Sequence, residues 1–170
     1  SCFPKDTEAL VRSARDVGAP ISIVEQVIEV NTNRKEAMAL KIIDACGGDV
    51  SGKTVAVLGL TFKPNTDDMP RLIEAGATVR VFDPVGMDEA KAIMDGPVWC
   101  SDAYDAMDGA DVVAIVTEWN EFRALDLQRA KELLNRPVMV DLRNIYRPEE
   151  MRESGFDYIS IGRAAVAATS

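Results

Sequence analysis

Lys53-Thr54-Val55-Ala56-Val57-Leu58-Gly59-Leu60 is the stretch on which the fold turns. It is almost continuously apolar, rich in valine and followed by a glycine break, which is how a strand reads when both of its faces are buried. The runs Ala77 to Phe82, Asp111 to Val116 and Val138 to Val140 share that texture, and Pro97-Val98-Trp99-Cys100 and Tyr158-Ile159-Ser160 are shorter candidates. Between them, helices are expected around Arg71 to Ala75, Met87 to Met94, Ala103 to Met107 and Asp126 to Leu134. Buried strands alternating with helices give an α/β fold with a parallel, doubly wound, Rossmann-like sheet. One connection is cramped, because only sixteen residues separate Leu60 from Ala77, and a parallel crossover takes about a dozen or more.

Upstream of the sheet the apolar residues recur every three to four positions. Asp6 to Val17 reads as a short helix with Asp6 as a first-turn acid or cap, broken by Gly18. From Pro20, the residues Ile21, Val24, Ile28, Asn31, Lys35, Met38 and Ile42 keep helical spacing until Gly47-Gly48. That is roughly 27 residues, or about 40 Å of helix. One small domain does not need such a length, so the helix is expected to link two domains and to offer its remaining apolar face to a second copy of the chain. The Ala-rich tail beyond Gly162 is expected to fray.

Composition narrows the function. The chain has 170 residues, 47% of them hydrophobic and 28% charged, enough for one ordinary core. Its net charge of −9 argues against a nucleic-acid partner. No run approaches the length of a membrane span and no export signal is visible, so a cytoplasmic location is expected. The three cysteines, Cys2, Cys46 and Cys100, are widely spaced and read as reduced thiols; neither a disulfide nor a metal site is expected. Histidine is absent, so acid–base work falls to Asp, Glu, Lys, Cys or water.

Three segments could carry chemistry. The first is Ser1-Cys2-Phe3-Pro4-Lys5-Asp6-Thr7-Glu8-Ala9-Leu10, where a thiol stands near a cation and ahead of a helix, surroundings that favour a nucleophilic thiolate. The second, Gly59-Leu60-Thr61-Phe62-Lys63-Pro64-Asn65-Thr66-Asp67-Asp68-Met69, leaves the C-terminal end of a strand, where open α/β sheets place ligands. Phe62 offers a ring and Lys63 a compact cation suited to a pyrophosphate or sugar hydroxyls. The third, Val140-Asp141-Leu142-Arg143-Asn144-Ile145-Tyr146, puts the planar fork of Arg143 at another strand end, where it could bind oxygen ligands or pair with Asp141. Thr117-Glu118-Trp119-Asn120-Glu121-Phe122 follows a strand too, with Trp119 and Phe122 read as packing residues. No Gly-x-Gly-x-x-Gly follows the first strand, and Asp83-Pro84 reads mainly as strand-end turn chemistry.

In this order the segments resemble the nucleotide-sugar 6-dehydrogenases, the UDP-glucose/GDP-mannose dehydrogenase family. The resemblance implies that residues 1–17 end the catalytic loop and NAD-binding domain, 18–48 form a connecting and dimerisation helix, 49–165 form a nucleotide-sugar-binding α/β domain, and 166–170 form a tail. It implies NAD as cofactor and UDP-glucose as substrate, oxidised at C6 to UDP-glucuronate with loss of four electrons. Cys2 is implied as the nucleophile that forms a thiohemiacetal and then a thioester, Asp6 as its partner in handling the catalytic water, and Lys5 as a contact near the nicotinamide nucleotide. Phe3, Phe62, Lys63 and Arg143 are implied as substrate contacts, with Phe62, Lys63 and Arg143 converging on one rim of the sheet across from the Cys2 loop, which carries Phe3. GDP-mannose or a UDP-N-acetylhexosamine is the alternative substrate, and a non-catalytic nucleotide-sugar-binding or dimerisation module is the alternative role. The family pattern continues with Arg-Glu/Asp-Ser/Ala after the equivalent of Met69, where this chain has Pro70. A loop and most of a helix dropped between Met69 and Pro70 are therefore expected, with a genuine deletion as the alternative.

Overall fold

The computed structural model describes residues 2–60 and 68–169, with backbone only for Cys2, Phe3, Pro4, Lys35 and Asp68. Six strands, β1 (Thr54–Leu58), β2 (Thr78–Phe82), β3 (Val98–Trp99), β4 (Val112–Ile115), β5 (Val138–Asp141) and β6 (Asp157–Ser160), form one sheet in the order β3-β2-β1-β4-β5-β6. All neighbouring pairs are parallel, with Val57 between Val81 and Ala114. The α/β, doubly wound expectation is met, and each of the six expected strands is present, β1 to β4 trimmed by a residue or two at their ends and β5 and β6 each longer by one.

Alternation along the strands divides the core in two. Val55, Val57, Val79, Val81, Val112, Ala114, Val138 and Val140 feed one face; Ala56, Leu58, Val113, Ile115, Met139 and Tyr158 feed the other. The first face is covered by α2 (Ser22–Ala45) through Ile42 and Cys46, by α3 (Asp68–Glu74) through Met69 and Leu72, and by α4 (Met87–Lys91) through Ala90. The second is covered by α5 (Ala103–Met107), α7 (Leu127–Leu133) and α8 (Pro148–Glu153) through Ala106, Ala130 and Met151. Asp102 and Asp126 cap α5 and α7 by accepting from Asp105 N and Arg129 N, each cap contributing about 1 kcal/mol.

The N-terminal helices differ from expectation at their starts. Helix α1 runs Cys2–Asp16, so the Cys2 to Lys5 segment is helical where a loop was expected, and Asp6 lies exposed in the second turn instead of capping the first. Pro4 permits this because a first-turn residue has no intrahelical bond for its missing N–H to break. Both long helices end as glycine predicts. Gly18 and Ala19 donate to Arg15 O and Ala14 O, and Gly47 and Gly48 to Asp44 O and Ile43 O, the paired closure of a helix whose next residue turns left-handed.

Two helices lay outside the sequence reading: the single turn α6 (Asn120–Arg123) and α8. The tail is also corrected. Val166 exchanges two backbone hydrogen bonds with Tyr158, and Ala168 N donates to Asp157 Oδ1, so the segment is laid along β6 instead of fraying. The cramped crossover closes with the seven-residue α3, and Thr54 to Leu58 pair with Thr78 to Phe82 throughout.

Candidate functional site

The strand order reverses between β1 and β4, the switch point at whose C-terminal rim open α/β sheets place their ligands. Four strand ends meet around it, and two buried carboxylates organise them.

At the end of β2, Asp83 is 1% exposed. Its Oδ1 accepts from Val85 N at 2.9 Å and Gly86 N at 2.8 Å, which is the turn chemistry read from the sequence. Its Oδ2 reaches further, accepting from Leu60 N at 2.6 Å after β1 and from Trp119 Nε1 at 3.2 Å after β4. Trp119 is thus more than packing, whereas Phe122 is fully buried and meets Phe82 edge to face at 6.3 Å.

At the end of β5, Asp141 is fully buried. Its Oδ1 accepts from Arg143 N at 2.9 Å; its Oδ2 accepts from Tyr146 N at 3.1 Å and from the Tyr158 hydroxyl at 2.7 Å. The exposed Arg143 side chain donates Nε–H to Val116 O at 2.7 Å, which lays it across the end of β4. Asn144 adopts φ 55 and exchanges two 3.0 Å hydrogen bonds with Ile161, whose loop follows β6. Burial raises the phenols of both Tyr146 and Tyr158 well above their ordinary range, so both remain donors.

A dinucleotide does not fit this rim in the usual manner. In sheets of this order the first strand's glycines let a pyrophosphate approach, and the acid after the second strand binds ribose. Here the space beside Gly59 is filled by Thr117, and both oxygens of Asp83 are taken up by protein N–H groups. Thr117 Oγ1 is buried and has no hydrogen-bond partner among the described residues.

Arg143 therefore lies at the C-terminal rim, as expected. Phe62 and Lys63 lie outside the described residues; Leu60, the last described residue before them, is at the same rim. The side chains of Cys2 and Phe3 also lie outside, and Lys5 and Asp6 are exposed on α1. Cys46 and Cys100 are buried free thiols, raised above the ordinary range chiefly by burial. Among the described residues no cluster of His, Cys, Asp or Glu could hold a metal ion, and no helix is long and apolar enough to cross a membrane. Sequence reading missed the reach of Asp83 to Trp119 and the Asp141–Tyr158 bond. Each joins residues far apart in the chain, and the only local signal was an acid directly at a strand's end.

A six-stranded parallel sheet with helices on both faces and a switch point between β1 and β4 defines a Rossmann-like α/β protein. Residues 56–148 match the family described as UDP-glucose/GDP-mannose dehydrogenase, UDP binding domain, and the chain belongs to that family. It is 52% identical to a UDP-glucose 6-dehydrogenase of Rhizobium meliloti strain 1021, across 96% of this chain and 39% of that protein. It is 41% identical to UDP-glucose 6-dehydrogenase TuaD of Bacillus subtilis strain 168, across 99% of this chain and 39% of the relative. The solved UDP-glucose dehydrogenase of Pyrobaculum islandicum superposes with a TM-score of 0.74 at 32% identity, over 95% of this chain and 37% of that one. The chain thus spans about two fifths of these relatives. The Rhizobium alignment extends over 172 positions while taking in 96% of a 170-residue chain, so the relative has residues that this chain lacks.

Proposed function

We propose that the chain supplies the nucleophile segment and the nucleotide-sugar-binding domain of an NAD-dependent UDP-glucose 6-dehydrogenase acting in the cytoplasm. What carries the reading is Arg143, set at the β1–β4 switch point by Val116 O in a domain whose family is described as UDP-binding. A guanidinium there offers paired donors to a pyrophosphate or sugar oxygens, with Lys63 and Phe62 on the neighbouring loop as cation and ring.

Cys2 stands in the first turn of α1, and a helix N-terminus favours negative charge, so a thiolate there suits attack on a C6 aldehyde. Addition forms a C–S bond and puts the carbonyl electrons on oxygen. The covalent adduct keeps the half-oxidised sugar in place, and the thioester reached from it is hydrolysed by water that Asp6 helps to deprotonate. Taking an alcohol to an acid removes four electrons as two hydrides, for which two NAD in succession would be the acceptors. Since the rim of this sheet does not suit a dinucleotide, we assign NAD to polypeptide beyond these residues, with Lys5 nearest to it.

The test is acid formation from UDP-glucose and NAD by a polypeptide of the relatives' length carrying this chain. Cys2→Ser is expected to abolish it, because a hydroxyl is a far weaker nucleophile at its free pKa. Near-normal UDP-glucuronate production by that variant would overturn the covalent mechanism.

A further inference from the structure

Arg143 is held from two directions. Its backbone N–H is bonded to Asp141 Oδ1, and its Nε–H to Val116 O, so the root of the side chain and its head are both tied to strand ends. The turn between is tied down as well. Asp141 Oδ2 gathers Tyr146 N and the Tyr158 hydroxyl, Asn144 is clasped to Ile161, and Arg163 donates to Tyr146 O at 3.2 Å. A flexible cation gains specificity when its direction is fixed before the ligand arrives, since less rotamer freedom is lost on binding. A buried carboxylate needs donors to offset its desolvation, and Tyr158 supplies one from β6, seventeen residues away in the chain.

We propose that Asp141 and Tyr158 are positioning residues for nucleotide-sugar recognition, their hydrogen bond fixing the turn that aims Arg143 at the β1–β4 switch point. Neither touches the ligand; both act through Arg143. The proposal rests on the reading of Arg143 as a ligand contact and adds to it a device reaching across β5 and β6.

Tyr158→Phe is the cleanest probe, because the ring stays in the core and only the hydroxyl is lost. In the full-length protein its KM for UDP-glucose is expected to rise about fivefold to tenfold, as loss of one ordinary hydrogen bond would do. Its kcat and its KM for NAD should stay within about twofold, where a merely structural defect would lower the active fraction and leave KM alone. Calorimetric titration with UDP alone should show the same weakening. Asp141→Asn should weaken UDP more, and if that variant does not fold, Tyr158→Phe still decides. In an Arg143→Ala background, Tyr158→Phe should change UDP affinity no further. An unchanged KM in Tyr158→Phe, or full additivity with Arg143→Ala, overturns the positioning role while leaving Arg143 as a contact. If Arg143→Ala itself binds UDP as tightly as the parent, both the contact and the device that aims it are refuted.

Discussion

Thr117 occupies the space that a side chain at Gly59 would need. A Cβ built on Gly59 would lie 2.0 Å from Thr117 Oγ1 and 2.7 Å from its Cβ, and Gly59 has φ +106, a backbone state that L side chains rarely adopt. The glycine after β1 therefore serves loop-to-loop packing between β1 and β4 in a sheet whose strand order elsewhere brings a pyrophosphate to that place. Gly59→Ala is expected to destabilise the chain by about 3 kcal/mol or more, combining strain with a clash. Urea unfolding measures it. Adding Thr117→Gly should recover the clash but not the strain, so a double variant no better than Gly59→Ala would refute the packing argument.

Cys46 and Cys100 illustrate the opposite case, thiols whose place in the core leaves them no chemistry to do. Both are buried, and desolvation holds each thiol protonated at neutral pH. Cys46→Ser and Cys100→Ser are expected to cost about 1–2 kcal/mol of stability each by burying a hydroxyl where a small apolar group stood. Turnover of UDP-glucose in the full-length protein should be largely retained. A hundredfold loss of kcat in either variant, at full occupancy of the folded state, would contradict this.

The sheet was legible because its signal is local and redundant. Each strand is a short apolar run, and Val57 or Val113 would be buried in any arrangement that stacks helices on both faces. Helix ends at Gly18 and Gly47 were legible because glycine alone takes those turns at no steric cost. The start of α1 was not, because Pro4 in a first turn reads equally well as the end of a loop. Nor was the seating of the tail, which depends on two hydrogen bonds between Val166 and Tyr158 and on no pattern within the Ala-rich segment itself. At the site, Arg143 was found from its place after a strand, whereas Asp83, Trp119, Asp141 and Tyr158 acquire meaning only once distant loops are brought together.

Alkali should loosen the fold. The Tyr146 and Tyr158 phenols, ordinarily at 10.0, and the Cys46 and Cys100 thiols, ordinarily at 9.0, are all raised in the folded chain, mainly by burial. A raised acid keeps its full contribution below the unfolded value and loses it as pH climbs toward the folded one. Stability should therefore fall from about pH 9 and more steeply above 10, by at most about 1.4 kcal/mol per pH unit for each group. Urea midpoints at pH 7, 9 and 11 test this, and Tyr158→Phe should flatten the decline. A midpoint that is level up to pH 11 would mean that these groups titrate normally.

Helix α2 carries two apolar stripes where its own domain uses one. Ala39, Ile42 and Cys46 face the sheet, while Ile23, Val27 and Val30 are 80%, 36% and 54% exposed. At about 100° per residue the second set is turned away from the first by more than a quarter of a revolution. The N-terminal half of α2 meets α1, where Arg15 and Glu25 pair at 2.8 Å. We expect this stripe to pair with its copy in a two-fold homodimer that buries roughly 800 Å² on each partner. Ile23→Asp with Val30→Asp should then yield a folded monomer, since both positions are exposed within one chain and neither contributes to its core. Light scattering of the full-length protein at high micromolar concentration decides between the outcomes. A parent protein that is monomeric there would sink the homodimer, and a double variant that remains dimeric would move its interface away from this stripe.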